Sequence, residues 1–265
     1  MRESAVTIHN SNETVTPYQT IDAIKKAGFK NVFVEWYNKD WECSQEEQIR
    51  YAREQGLNII FAHLGYQHIN SIWAEGELGD SQVERYINDL DICKRNNINL
   101  VIMHLTSKYE APDFGEIGLN RLRKIALHAK KLGIKIAFEN TKIKGYLDYV
   151  ITNIQEDNVG ICLDTGHLHC HFNDDLNFDL FKDKIFAVHM HDNDGSEDQH
   201  LIPFDGTIDW NWMIDRLDYC NYTGPVTMEV CYYGQYLDIN IEDYYYKAYQ
   251  IGEALSFMFE GDGNE

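Results

Sequence analysis

Short apolar runs alternate with stretches of helical period along the whole chain, and that alternation leaves few architectures open. The runs fall at 5–8, 31–35, 58–62, 100–104, 135–139, 159–163, 185–191 and 226–230. Each has the length and near-continuous apolar character of a strand covered on both faces. Helical patterns lie between them, as at 20–27, 46–55, 83–95, 119–132 and 210–219. Gly28, Gly56, Gly133 and Asn97 stand just before the next run, where a residue tolerant of the left-handed conformation ends a helix. Thr16-Pro17, Ser44 with Glu47, and Asp80-Ser81 read as helix starts, with a side-chain cap and, at Pro17, a pre-set first turn.

Eight strand–helix units in 265 residues predict an α/β chain forming a single (β/α)8 barrel over 1–265. The competing fold is an open doubly wound sheet. It usually carries a Gly-rich phosphate loop after the first strand, whereas this chain has His9-Asn10-Ser11-Asn12 there. The polar, Gly-containing tail at 260–265 is expected to fray.

Charge narrows the partners. Lys and Arg total 23 against 43 Asp and Glu, a net −20, so the overall field opposes a polyanion such as nucleic acid. Small substrates remain, including anionic ones where a metal supplies local positive charge. The six cysteines form no Cys-x-x-Cys pair, as expected of buried free thiols. No run of 18 apolar residues and no signal-peptide pattern occurs, so a cytoplasmic location away from membranes is expected.

The residue at or just past the end of each strand is His9, Glu35, His63, His104, Glu139, Asp164, His189 and Glu229. His, Asp and Glu make up 54 of 265 residues, so one such coincidence means nothing and eight together mean a great deal. A barrel collects its strand ends at one mouth. Imidazoles and carboxylates gathered there suit Mn, Zn or Co, and several buried carboxylates need a cation to offset their mutual repulsion.

The flanking residues are more specific. Phe138-Glu139-Asn140-Thr141, Leu163-Asp164-Thr165-Gly166-His167, His189-Met190-His191-Asp192-Asn193, Asp198-Gln199-His200 and Met228-Glu229 together resemble the xylose isomerase-like barrel superfamily. That superfamily includes sugar isomerases, sugar and sugar-phosphate epimerases, inosose dehydratases and metal-dependent apurinic endonucleases. The resemblance implies a metal held by Glu139, Asp164, His189 and Glu229. It also implies Glu139 and Glu229 as an acid/base pair on opposite faces of a substrate carbon, with His167 hydrogen-bonding the sugar. The endonuclease branch implies up to three zinc ions: on His63, His104 and Glu139; on Glu139, Asp164, His189 and Glu229; and on His167, Asp198 and His200. The expectation is a divalent metal (Mn, Zn, Co or Mg) in one to three ions, serving an isomerase or epimerase of a small sugar, sugar phosphate or cyclic polyol. The alternatives are a multi-zinc phosphoester hydrolase and a non-catalytic ligand-binding barrel.

Two departures bear on substrate: a cation missing after the seventh strand, and an acidic balance that disfavours DNA, with no basic run near the strand ends. No Lys or Arg lies between His189 and Asp209, where several epimerases of the family place a substrate-binding Arg. Lys142 and Lys144 are the nearest clustered cations. His9, Glu35, Trp36 and His191 are candidates for substrate contact, weighed against structural hydrogen bonding or packing. His68, His128, His169 and His171 read as surface or packing residues. Trp36, Tyr37, Tyr66, Trp73, Tyr232, Tyr233 and Tyr236 read first as rim packing and second as sugar-stacking rings. Tyr244-Tyr245-Tyr246 face three directions of a helix, which suits packing plus a contact in a homo-oligomer.

Overall fold

The eight runs pair as parallel strands: β1 (Ser4–Thr7), β2 (Asn31–Glu35), β3 (Asn58–His63), β4 (Leu100–Met103), β5 (Lys135–Glu139), β6 (Val159–Asp164), β7 (Ile185–His189) and β8 (Val226–Met228). Their ladder order is β7-β6-β5-β4-β3-β2-β1-β8. The seam between β7 and β8 is bridged by Met190 and Met228, with Met190 N–H donating to Thr227 O at 2.8 Å and Glu229 N–H to Met190 O at 3.2 Å. The result is the predicted (β/α)8 barrel. This computed structural model describes residues 2–9, 12, 14–36, 43–108 and 110–261. Asn10, Ser11, Tyr37 and most of the expected frayed tail lie outside the described residues.

The helices are α1 (Pro17–Ala27), α2 (Gln45–Glu54), α3 (Glu77–Arg95), α4 (Glu116–Leu132), α5 (Tyr146–Asn153), α6 (Thr165–Phe172), α7 (Phe178–Phe181), α8 (Trp210–Tyr219) and α9 (Ile241–Met258). Thr16 with Gln19 and Ser44 with Glu47 form reciprocal capping boxes, as the sequence indicates. Gly28 ends α1 at φ 112°, a conformation that costs a side-chain-bearing residue and costs glycine little. Asn97 takes the same region at φ 53°.

Two expectations shift. α3 begins a turn before Asp80-Ser81, at Glu77. Asp80 is instead engaged by Arg121 Nε at 3.0 Å, and the Ser81 hydroxyl donates to Leu78 O at 2.8 Å, so neither acts as a cap. β7 stops at His189 rather than 191 because His191 leaves the ladder: its N–H donates to the Thr165 hydroxyl at 3.1 Å, and that hydroxyl donates back to His191 O at 2.8 Å.

Side chains alternate across each strand and so build two cores. Val32, Val34, Val101, Met103, Ile136, Phe138, Ile161, Leu163 and Val188 face outward onto the helices, against residues such as Ile21, Ile24, Leu90, Leu122 and Leu217. Each such side chain contributes about 1.5–3 kcal/mol by leaving water. Phe33, Phe61, Ile102, Ala137, Cys162 and Ala187 face inward and fill the barrel axis. The Phe33 and Phe61 rings stack at 4.5 Å. All six cysteines are free thiols, and only Cys170 is other than buried. Among the described residues no helix is long and apolar enough to cross a membrane.

The outer layer makes two predictions. A Cβ on Gly118 of α4 would lie 2.1 Å from the Trp73 ring, which is fixed by its Nε1–H donating to Leu105 O at 2.7 Å. Gly118→Ala should cost about 1–3 kcal/mol from overpacking, read from denaturant midpoints. Asp89 on α3 is 7% exposed, and burial, partly offset by Arg85, raises its carboxyl from 3.8 to about 6. The folded chain therefore penalises the charged form. That penalty is complete above pH 6, shrinks as pH falls toward 4, and is absent below the unfolded value. Asp89→Asn should stabilise by about 1–3 kcal/mol at pH 8 and by nothing measurable at pH 3, compared by thermal melts at the two pH values.

Candidate functional site

The residue two places beyond each member of the inner layer looks into the same lumen, one layer higher. Phe33, Phe61, Ile102, Ala137, Cys162 and Ala187 are thus surmounted by Glu35, His63, His104, Glu139, Asp164 and His189, and Thr227 of β8 by Glu229. All of this upper layer is buried except His104, which is partly so.

Glu139 is its hub. Its Oε2 lies 3.1 Å from His63 Nε2, 3.3 Å from His104 Nε2 and 3.5 Å from His189 Nδ1, while Oε1 lies 3.1 Å from His167 Nδ1. The same His189 Nδ1 is 3.3 Å from Glu229 Oε2 and 3.9 Å from Asp164 Oδ2. Asp164 caps α6 by accepting the His167 N–H at 2.6 Å, which fixes where the His167 ring starts. Asn140 holds Asp164 from behind, donating to its carbonyl at 2.9 Å and accepting its N–H at 2.7 Å.

A rim set sits above. Asp198 Oδ2 is 3.1 Å from His167 Nε2, and Oδ1 is 3.4 Å from His200 Nε2 and 3.8 Å from His191 Nε2. His191 and His200 stack at 4.0 Å and 13°, and His191 Nε2 also reaches Asp164 at 3.1 Å. His200 Nδ1–H donates to Glu229 O at 2.8 Å, which leaves Nε2 turned toward Asp198. The loop carrying Asp198 and His200 is anchored by buried Asp192. Its carboxylate accepts from Phe204 N–H at 2.9 Å, Ile208 N–H at 3.1 Å and Trp210 Nε1–H at 2.9 Å.

Electrostatics divides the carboxylates. Burial alone would raise Glu139, but His104 and His189 outweigh it and hold its carboxyl well below the usual range. Burial raises Glu229 well above that range, and Glu35, Glu139 and Asp164 push it further. For His200, burial lowers the ring and Asp198 overrides it, to about 9.

The donors fit a metal. Among the described residues, both ring nitrogens of His189, Oε1 of Glu139, Nδ1 of His167, Nδ1 of His191 and Oδ1 of Asp198 are buried close to these neighbours yet form no well-aligned hydrogen bond. Such groups are costly unless something satisfies them. Ligand atoms converge within 4.8 Å in the sets His63–His104–Glu139, His63–His189–Glu229, His167–His171–Asp198 and His191–Asp198–His200. A cavity of about 680 Å³ opens above them, bordered by His63, His104, Glu139, His167, Asp198 and Glu229 among others.

The structure thus gathers every residue expected to hold a metal. Glu35 joins the same layer, accepting from the Thr7 hydroxyl at 2.6 Å. His191 is fully buried beneath the rim. His9 is half-buried with its N–H donating to Thr7 Oγ1 at 3.0 Å, and Trp36 is packed in the core; neither borders the cavity. Of the histidines read as bland, His128 pairs with Asp91 and His169 with Asp174, whereas His171 lies 5.5 Å from the His167 ring and shares its ligand set. The spacing of His167 and His171 by four on one helix was the available signal. Tyr66 stacks on His104 at 4.3 Å and 6° and borders the cavity, more than rim packing. Asp192 was not anticipated, since a structural carboxylate leaves no pattern in sequence.

Known proteins with this organisation are numerous. The chain is similar to 2-oxo-tetronate isomerase of Haemophilus influenzae, 23% identical over 78% of this chain and 85% of that one. Two further curated relatives, each 29% identical, are matched over only 45% and 41% of their own length. Among solved structures it resembles D-psicose 3-epimerase of Clostridium cellulolyticum H10, with TM-score 0.72, 15% identity, and 98% and 99% of the two chains covered. It also resembles the IolI protein with a bound zinc atom, with TM-score 0.73, 17% identity, and 98% of each chain covered. The profile of the xylose isomerase-like TIM barrel family matches residues 21–258, a span holding β2 to β8 and every ligand-type side chain of the mouth but His9; the chain belongs to that family.

Proposed function

We propose that the chain is a divalent-metal-dependent isomerase or epimerase of a small sugar, sugar phosphate or cyclic polyol. The observation carrying this is that Glu139 and Glu229, from β5 and β8, meet the same His189 nitrogen at 3.5 and 3.3 Å at the base of one open cavity. Membership of a family whose structural neighbours are sugar epimerases and isomerases supports it, as does the zinc in the IolI protein.

Glu139, Asp164, His189 and Glu229 would hold the ion. When bound there, it supplies Lewis acidity to the oxygens beside the reacting carbon. The chain's own groups do the rest. One of the two glutamates removes the proton on carbon and the other delivers one from the opposite face. His167, held between Glu139 and Asp198 on the cavity wall, would hydrogen-bond a substrate hydroxyl through Nε2 in place of Asp198. Tyr66 over His104 keeps water from the inner wall. His191, 3.1 Å from Asp164 and 3.8 Å from Asp198, keeps the ligand layer and the rim in register.

A second reading, a multi-zinc phosphoester hydrolase, is favoured by one observation: His63 and His104 on Glu139, and His200 on Asp198, complete the larger ligand set in the same cavity. The net charge of −20 opposes a nucleic-acid substrate. Elemental analysis of protein purified without a His-tag separates the two. About one Mn, Co or Mg per chain, unchanged in His104→Ala and His200→Ala, is expected of the isomerase. Two or three Zn, falling by about one in each variant, would put phosphoesters, abasic DNA included, first.

Glu139→Gln and Glu229→Gln should each lower turnover, and solvent-deuterium incorporation at the carbon beside the carbonyl, by about 100-fold or more. Circular dichroism should show the fold retained. Unimpaired turnover in either variant would remove that glutamate from the acid/base pair.

A further inference from the structure

The mouth has two unlike sides. Among the described residues, every carboxylate bordering the cavity belongs to the ligand layer or the rim: Glu139, Glu229 and Asp198. Among the described residues that border the cavity, those from the wall built by the loops after β3, β4 and β5 include no carboxylate and include two lysines, Lys108 and Lys142. In a chain with 43 acidic and only 23 basic residues, two lysines bordering the cavity from one side are a pronounced asymmetry. The net field repels an anion at long range, so an anionic ligand needs its charge offset locally.

The wall is also held in place. Asn70 accepts the Ser107 N–H at 2.7 Å and donates to Ser107 O and Glu110 O, each at 2.8 Å, which clamps the segment bearing Lys108 from both sides. Lys108 itself sits at φ 64°, a conformation a lysine adopts at some cost, as does His68 at φ 61° on the same wall. The Thr106 and Thr141 hydroxyls join at 2.8 Å and tie the β4 loop to the β5 loop that bears half-buried Lys142. Lys144, two residues on, turns away to Phe172 O at 3.2 Å and Asp175 at 3.1 Å.

We propose that Lys108 and Lys142 form an anion subsite, so that the substrate is a sugar derivative with a carboxylate or phosphate at the end remote from the reacting carbon. The proposal rests on the isomerase reading for the reacting end alone. One end of the ligand meets the carboxylate–imidazole layer through hydroxyl and carbonyl oxygens. The other meets two ammonium groups, whose charge-assisted hydrogen bonds hold the molecule in one orientation along the cavity. The neutral sugars that share the reacting group bind without that second hold.

The test is titration calorimetry on metal-loaded full-length protein with three probes: erythritol, erythronate and erythritol 4-phosphate. The wild type should bind at least one anionic probe about tenfold or more tightly than erythritol, and the stronger of the two identifies carboxylate or phosphate as the natural group. Lys108→Met and Lys142→Met should each reduce the anion-to-neutral affinity ratio about tenfold, and raise KM for an anionic substrate more than they lower kcat. Lys144→Met, which removes the same charge from outside the wall, should leave the ratio unchanged. A wild-type ratio near one overturns the subsite, as does a ratio insensitive to Lys108 and Lys142 or equally sensitive to Lys144. The readout is binding, so the two proposals fail separately. A lysine-dependent anion preference without deuterium exchange at carbon keeps the subsite and removes the isomerase. Exchange on neutral sugars with KM indifferent to both lysines does the reverse.

Discussion

Strict alternation of side chains along a strand is the constraint from which the site follows. Closing eight strands into a barrel requires inward side chains that fill the axis, and Phe33, Phe61, Ile102, Ala137, Cys162 and Ala187 do so. The period of two then leaves no choice about the next inward position. Glu35, His63, His104, Glu139, Asp164, His189 and Glu229 are delivered to one layer because each lies two residues beyond a core or near-core position on its strand. The functional layer is thus an extension of the packing layer, and a shift of register by one residue in any strand would turn its ligand-type side chain into the helix interface.

Such a layer is electrostatically demanding. Glu35, Glu139, Asp164 and Glu229 are buried together, with Glu139 stabilised by His104 and His189 and Glu229 left to bear the repulsion of the others. The protein has more imidazoles than a single hub needs, and it spreads the remainder upward to Asp198. That second tier depends on Asp192, whose carboxylate gathers three donors from the loop behind it. The lower tier is therefore set by strands and the upper tier by one anchored loop.

This difference decides what was legible in the sequence. Strand ends announce themselves by an apolar run followed by a His, Asp or Glu, and so the fold, Glu139, Asp164, His189, Glu229, His63 and His104 could all be read directly. The motif Thr165-Gly166-His167 drew attention through resemblance, yet the reason for its glycine is visible only in space: a Cβ at Gly166 would lie 1.9 Å from the His191 ring. The end of β7 is hidden in the sequence because His191 continues the alternation while its backbone bonds to Thr165 instead of a strand. His171 does not stand out in the sequence, since a histidine on a short helix reads the same whether it faces solvent or a cluster. The start of α3 is not legible because Asp80 has the side chain of a cap and the partner of a tertiary ion pair.

Beneath His189 the Phe33 and Phe61 rings lie 5.4 and 5.7 Å away, one of them nearly parallel to the imidazole. Phe61 also borders a separate cavity of about 390 Å³ at the opposite end of the barrel. The aromatic pair is in effect a bulkhead across the axis. Solvent, protons and ligand therefore reach the carboxylate–imidazole layer from the open mouth, and the far-end cavity has no passage to it past the two rings.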